Sequence, residues 1–168
     1  MAERRLIVKS RTFSYEGLFD GKELFKLIRG WFAEQGYDDY LIRKQTEKHV
    51  KGKRQVEIDY LPKKKVSDYF EKQINLDITY MNLKKTQVQY KGHKVSLDEG
   101  EVEISFTGYL KTDYEGRWED TPWKYFFRVL MDRFILAPYV ARYTSETAED
   151  IKIVYNLIRE FLNATKQR

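Results

Sequence analysis

The chain has 168 residues, of which 42% are hydrophobic and 15% aromatic, and it carries a formal net charge of +5. This length and apolar content suit a single domain over residues 1–168 and argue against a disordered chain. The absence of cysteine, with only two histidines, excludes disulfides, thiolate metal sites and histidine-rich metal centres. No apolar run approaches the roughly 20 residues that cross a bilayer, so we expect a cytoplasmic protein.

The first 36 residues predict a strand followed by a helix. Apolar residues alternate between Leu6 and Tyr15, and the alternation slips near Ser10, where we expect an irregularity. The sequence Asp20-Gly-Lys-Glu23 resembles a capping box, with apolar residues at helical spacing behind it. Gly36 is placed to end this helix.

A period of two replaces the helical period from residue 39 to residue 113, which predicts a meander of antiparallel strands with one apolar face. The sequence Lys51-Gly-Lys-Arg54 predicts a hairpin with Gly52 in its turn, and Pro62 is expected to end the second strand. Further turns are predicted at residues 82–85, at Gly92 and at residues 98–100.

Two helices are predicted at the C-terminal side of this meander. The first spans residues 122–136, with Pro122 in its first turn and Pro138 closing it. Thr147 resembles the cap of the second helix. Its apolar stripe runs from Ile151 to Leu162, and we expect it to lie across the sheet.

This order of elements predicts an α+β domain: an antiparallel β-meander of about six to seven strands with an N-terminal helix and two C-terminal helices. The order resembles the helix-grip fold of START and polyketide-cyclase-like proteins. The resemblance implies a curved sheet around the C-terminal helix and a cavity for an apolar ligand, near Phe106, Trp123 and Ile158. The helix over residues 122–136 is additional to that pattern and is placed to fill or cap the cavity.

Positive charge concentrates in residues 41–65, which hold nine Lys or Arg and three Asp or Glu, a net charge of +6. Thermophile-like composition explains many lysines, but it explains their clustering less well. A basic region on a nearly neutral body is typical of a surface that binds an anionic partner. The candidate nucleic-acid-binding residues are Arg43, Lys44, Lys48, Lys51, Lys53, Arg54, Lys63, Lys64 and Lys65.

The sequence contains no zinc finger, GXXG clamp or RNP aromatic signature. Recognition of a structured RNA or a ribosomal subunit by shape and charge therefore suits it better than base-specific reading. Tyr40, Tyr60 and Tyr69 lie near the basic residues and are able to stack on bases, although packing within the sheet is the commoner role of such tyrosines.

The residue types of enzymes and metal sites occur without a matching pattern. Four carboxylates in eight residues suit a divalent ion or acid–base chemistry, but their spacing does not match an EF-hand loop. A helix cap and solvated loop charges explain them better. Neither His49 nor His93 has a predicted nucleophile and carboxylate beside it. We therefore expect no catalytic residue, metal or cofactor; the four carboxylates are Asp113, Glu115, Glu119 and Asp120.

Tyr125, Val129 and Met131 lie off the main apolar stripe of the predicted helix 122–136, and apolar residues on two sides of a helix predict a homodimer interface. The leading hypothesis is a non-enzymatic, RNA- or ribosome-associated binding protein that docks through its basic hairpin, as a homodimer. The alternative is a helix-grip carrier of an apolar small molecule. An enzyme that uses the acidic segment ranks third.

Overall fold

Six strands and two helices make up the part of the chain that the structure describes, and this confirms the α+β class. The computed structural model describes residues 3–38, 42–50, 52–90, 93–112 and 135–166, together with Phe126 and Leu130. The elements are β1 (Glu3–Phe19), α1 (Gly21–Glu34), β2 (Ile42–Val50), β3 (Lys53–Tyr60), β4 (Lys63–Lys65), β5 (Phe70–Tyr90), β6 (His93–Thr112) and α2 (Ala137–Lys166).

The described strands form one antiparallel sheet in the order β1-β6-β5-β3-β2, so the first strand lies beside the last. β4 also pairs with β5, on the same side as β3 but beyond Pro62. Proline has no N–H to donate, so it interrupts the ladder. The chain nevertheless stays against β5, because the Ile74 N–H donates to the Pro62 carbonyl at 3.1 Å.

The turns predicted at residues 82–85 and 98–100 are wrong, because β5 and β6 run through both segments as one long hairpin. The pairing shifts register between Met81 and Lys84, and Asn82 has a φ of 57°. An extra residue in one strand bends the ladder without ending it. Gly100 lies opposite this bulge, where an added Cβ would stand 2.6 Å from the Met81 carbonyl oxygen.

The irregularity predicted near Ser10 and both ends of the first helix are confirmed. β1 shifts register between Leu6 and Arg11. The Asp20 carboxylate caps α1 by accepting from the N–H groups of Lys22 and Glu23. At the other end Gly36 has a φ of 74°, and the Tyr37 N–H donates to the Phe32 carbonyl in a Schellman closure.

The predicted start of the last helix, near Thr147, is wrong. α2 already begins at Ala137, so Pro138 lies in its first turn, where a missing N–H costs nothing. Thr147 is a buried mid-helix residue, and its hydroxyl donates to the Tyr143 carbonyl at 2.7 Å. The described residues therefore contain one long C-terminal helix. The predicted helix 122–136 lies outside them, except for Phe126 and Leu130, which are helical.

The core lies between one face of the sheet and the two helices, and α2 lies across the sheet as predicted. Alternate residues of β3, of β6 and of β5 from Leu76 to Tyr80 are buried, whereas every residue of β5 from Phe70 to Leu76 is buried. No helix in the described ranges is long and apolar enough to cross a membrane. The fully buried helix residues that meet the sheet are Leu24, Ile28, Phe32, Val154, Ile158 and Leu162.

Candidate nucleic-acid interface

The basic residues predicted as one site lie at two opposite ends of the sheet. Gly52 has a φ of 78° and turns β2 into β3 as predicted, with Lys53 beside it. β3 then runs the length of the body, and Lys63 follows at the far end. Ten extended residues span about 30 Å. We call Lys53 and its neighbours at the turn the hairpin end, and Lys63, Lys64 and Lys65 the β4 end.

At the β4 end the side chain of Lys64 and the backbone of Lys63 are bound to the body of the protein. The Lys64 ammonium donates to the Gln35 carbonyl at 2.6 Å, at the C-terminus of α1, and lies 5.6 Å from the centre of the Tyr37 ring. The Lys63 carbonyl accepts the Asp38 N–H at 2.6 Å. A cation at the end of a helix satisfies an orphan carbonyl, so Lys64 has a structural role.

Several other predicted cations are already neutralised by carboxylates. Arg43 Nη2 lies 2.8 Å from Asp59, and it also donates to the Asn75 side chain. Arg54 contacts Glu47 at 2.6 Å, and its hydrogen bond lowers the pKa of that carboxyl. The Lys48 ammonium is 3.7 Å from Glu57. Lys53 and Lys44 are exposed and make no ion pair with the described residues. Lys51 lies outside the described residues.

The hairpin of β5 and β6 supplies further cations at the hairpin end. The neighbouring strands end before this hairpin does. The pairing of β3 with β5 ends at Arg54 and Leu83, and the pairing of β1 with β6 ends at Phe19 and Asp98. Five cross-strand pairs, from Thr86↔Leu97 to Tyr90↔His93, continue beyond the sheet without a third strand among the described residues. We call residues 86–90 and 93–97 the arm; Lys91 and Gly92 lie outside the described residues.

Lys84 and Lys94 are exposed, and the described residues offer neither of them an ion pair or a side-chain hydrogen bond. Residues 84–97 contain four lysines and no Asp or Glu. The sequence reading missed this region because it was divided into two short strands, although the acid-free run was visible. Lys84 and Lys53 line one cavity of about 500 Å³, where β1 and the two hairpins meet, together with three carboxylates: Glu16, Glu99 and Glu101.

The root of the arm is fixed to the body through Asp98, which is 6% exposed. Its two carboxylate oxygens accept from the Lys85 ammonium at 2.7 Å and from the Gly21 N–H, at the start of α1, at 3.3 Å. The Tyr80 hydroxyl donates to the Gly21 carbonyl at 3.2 Å, and burial raises the pKa of Tyr80. The arm therefore projects from a rigid base.

The remaining candidates give no further site. Tyr60 is fully buried against Phe25 and Phe32, so it is not available for stacking on bases. Tyr69 makes an edge contact with the Phe70 ring. His49 is exposed on β2. Among the described residues no group of three or more His, Asp or Glu can hold a metal ion. Outside the described residues lie Tyr40, Asp113, Glu115, Glu119, Asp120, Trp123, Tyr125, Val129 and Met131.

A buried polar cluster at the β4 end was not foreseen. The Lys72 ammonium, with 4% of its side chain exposed, lies 2.8 Å from Asp150 of α2 and 3.8 Å from Glu146. The Tyr37 hydroxyl donates to Asp150 at 2.5 Å, and burial, with Asp150 beside it, raises the pKa of Tyr37. The cluster ties α2 to β5 and to the end of α1. No sequence motif signals it, because its members are far apart along the chain.

No model of a known protein family matches the chain, and no curated protein matches it significantly.

Proposed function

We propose that this protein is a non-enzymatic, cytoplasmic RNA-binding protein that docks on a structured RNA or a ribosomal subunit through its hairpin end. The observation that carries the proposal is the set of exposed lysines without partners among the described residues, on two neighbouring hairpins: Lys53, Lys84 and Lys94. An ammonium group that makes no internal ion pair is free to displace counterions from phosphate.

The reach of the hairpin end also supports an anionic macromolecule as partner. Lys84 and Lys94 are separated along the hairpin by about 17 Å and lie on opposite faces of it, and Lys53 lines the same cavity as Lys84. This spacing covers several phosphates of a nucleic-acid backbone, whereas a small anion would contact one lysine. The sequence adds Lys51 and Lys91 to the two hairpin connections.

Two measurements test the proposal together. Fluorescence anisotropy with a structured ribosomal RNA fragment should give an affinity that falls steeply with salt. The triple variant Lys53→Ala, Lys84→Ala, Lys94→Ala should bind more weakly and flatten the logarithmic salt slope by about 0.7–0.9 for each phosphate that the variant no longer neutralises. The control Lys9→Ala, Lys26→Ala, Lys152→Ala removes the same charge from exposed positions elsewhere. Equal weakening by both triples would contradict the proposal.

The homodimer stays a prediction, and its candidate residues Tyr125, Val129 and Met131 lie outside the described residues. Two copies would double the lysines presented to a large RNA and raise avidity. Sedimentation equilibrium of the free protein tests this. A monomer at micromolar concentration would remove the dimer from the proposal without affecting the RNA-binding surface.

A helix-grip carrier is the second candidate, and one observation favours it: β1 pairs with the last strand while α2 lies across the sheet. However, Phe106 and Ile158, which would line the ligand cavity, are fully buried and belong to one packed cluster. A ligand there would have to displace core side chains. Native mass spectrometry of the purified protein tests the carrier, which requires a co-purifying apolar molecule.

A further inference from the structure

The two faces of the arm differ in chemistry. Cross-strand partners point to the same side of a ribbon, so Thr86 and Val88 share one face with Leu97 and Val95. The opposite face carries only polar side chains, and each of them is exposed without a side-chain partner among the described residues: Gln87, Gln89, Lys94 and Ser96.

The apolar side chains of the arm stabilise the ribbon, whereas the polar side chains make no stabilising contact with the described residues. A two-stranded ribbon without a third strand is marginal in water, and the Val88–Val95 and Thr86–Leu97 pairs supply the contacts that hold it together. The polar face contributes nothing comparable, since no hydrogen bond joins its side chains to the described part of the body.

We propose that this polar face reads base edges in an RNA major groove that a bulge or internal loop has opened. The inference rests on the proposed RNA-binding function and goes beyond recognition by shape and charge. Glutamine amides pair with adenine edges, lysine with guanine, and serine with either. These side chains together supply both hydrogen-bond donors and acceptors, and base edges in a major groove present both as well.

The width of the groove decides which nucleic acids a two-stranded ribbon can enter. A two-stranded ribbon fits a groove of about 12 Å, and the major groove of regular A-form RNA is too deep and narrow for side chains to read. A bulge interrupts the A-form helix and exposes base edges. Lys94, on this polar face, then contacts a flanking phosphate, while Lys85, on the same face at the root of the arm, stays bound to Asp98.

Three probes of equal length separate the possibilities: a continuous RNA duplex, the same duplex with a central three-nucleotide bulge, and a DNA duplex. Wild-type protein should bind the bulged RNA about tenfold more tightly than the continuous RNA, which is the size of one good base contact. The variant Gln87→Met, Gln89→Met keeps side-chain length but loses the amides. It should lose this preference and keep its affinity for the continuous duplex.

The control variant Gln45→Ala, Asn163→Ala removes two exposed amides away from the arm and should retain the preference. Far-UV circular dichroism confirms that each variant is folded. Equal binding of bulged and continuous RNA by the wild type, a preference for the DNA duplex, or a preserved preference in the methionine variant would each overturn the inference. Failure to bind any of the nucleic acids would instead overturn the proposed function.

Discussion

Lysines are abundant at both ends of the sheet, but two lysines at the β4 end are bound to groups of the body, whereas the hairpin end presents three exposed lysines without partners among the described residues. At the β4 end Lys64 binds a helix carbonyl and Lys72 is buried against Asp150. At the hairpin end Lys53 and Lys84 are exposed without partners among the described residues. The density of positive charge along the sequence is therefore a poor guide to a binding surface, because a cation that already binds a protein group contributes little to binding a ligand.

The largest expected effect is the loss of stability when Lys72 is truncated. Lys72→Ala leaves the Asp150 carboxylate with only the Tyr37 hydroxyl as a partner among the contacts described, and removing one partner of a largely buried ion pair costs about 3 kcal/mol. Urea denaturation measures this change. Lys94→Ala, at the hairpin end, should leave the free energy of unfolding unchanged within about 0.5 kcal/mol. If both variants lost a comparable free energy of unfolding, the claim that lysines contribute to stability at only one of the two ends would be wrong.

Charge reversal at each end should separate binding from stability. Lys53→Glu, Lys84→Glu, Lys94→Glu should weaken RNA binding by more than about 100-fold at physiological salt, since each attraction becomes a repulsion. Lys63→Glu, Lys64→Glu, Lys65→Glu changes the net charge equally and should weaken it much less. Filter binding at constant salt measures both. Equal losses of affinity would mean that RNA senses only the net charge of the protein.

A smaller effect is expected at Lys64, where the account assigns a capping role. Lys64→Ala removes the hydrogen bond to the Gln35 carbonyl and should lower the free energy of unfolding by about 1 kcal/mol. Lys64→Arg should recover most of this stability, because it retains a donor at this position. Affinity for RNA in the alanine variant should stay within about threefold of wild type.

The smallest change in stability is expected at Asp77, on the outer face of the sheet. Asp77 and Asp59 face each other across β5 and β3, and burial, with Asp59 beside it, raises the pKa of Asp77. A raised carboxyl pKa favours the folded state at low pH, and that contribution is lost as pH rises through the folded-state pKa. Asp77→Asn should therefore be more stable than wild type at neutral pH, and the difference should shrink on acidification. A difference that grows in acid would contradict this sign.

Local sequence rules predicted the elements whose signals are local. The Asp20 cap, the Gly36 stop, the Gly52 turn and the slip near Ser10 each depend on a few neighbouring residues. The same local rules gave wrong predictions at Asn82 and Gly100, because asparagine and glycine occur in bulges as well as in turns. Only the cross-strand pairing decides between the two, and that information lies in the partner strand.

The candidate site was predictable only in part for the same reason. Lys53 and Lys63 are neighbours in the sequence, but an extended strand of eight residues separates them in space. Lys53 and Lys84 are distant in sequence, yet the pairing of Arg54 with Leu83 brings them to one cavity. A strand register was needed to reveal which cations share a surface.

The most direct test of the central claim is ultraviolet cross-linking of the protein to a structured RNA, followed by mass spectrometry of the linked peptides. The account predicts cross-links in the turn of β2 and β3 and in residues 84–97, on both hairpins. Cross-links confined to residues 63–65, with none on the arm, would contradict it.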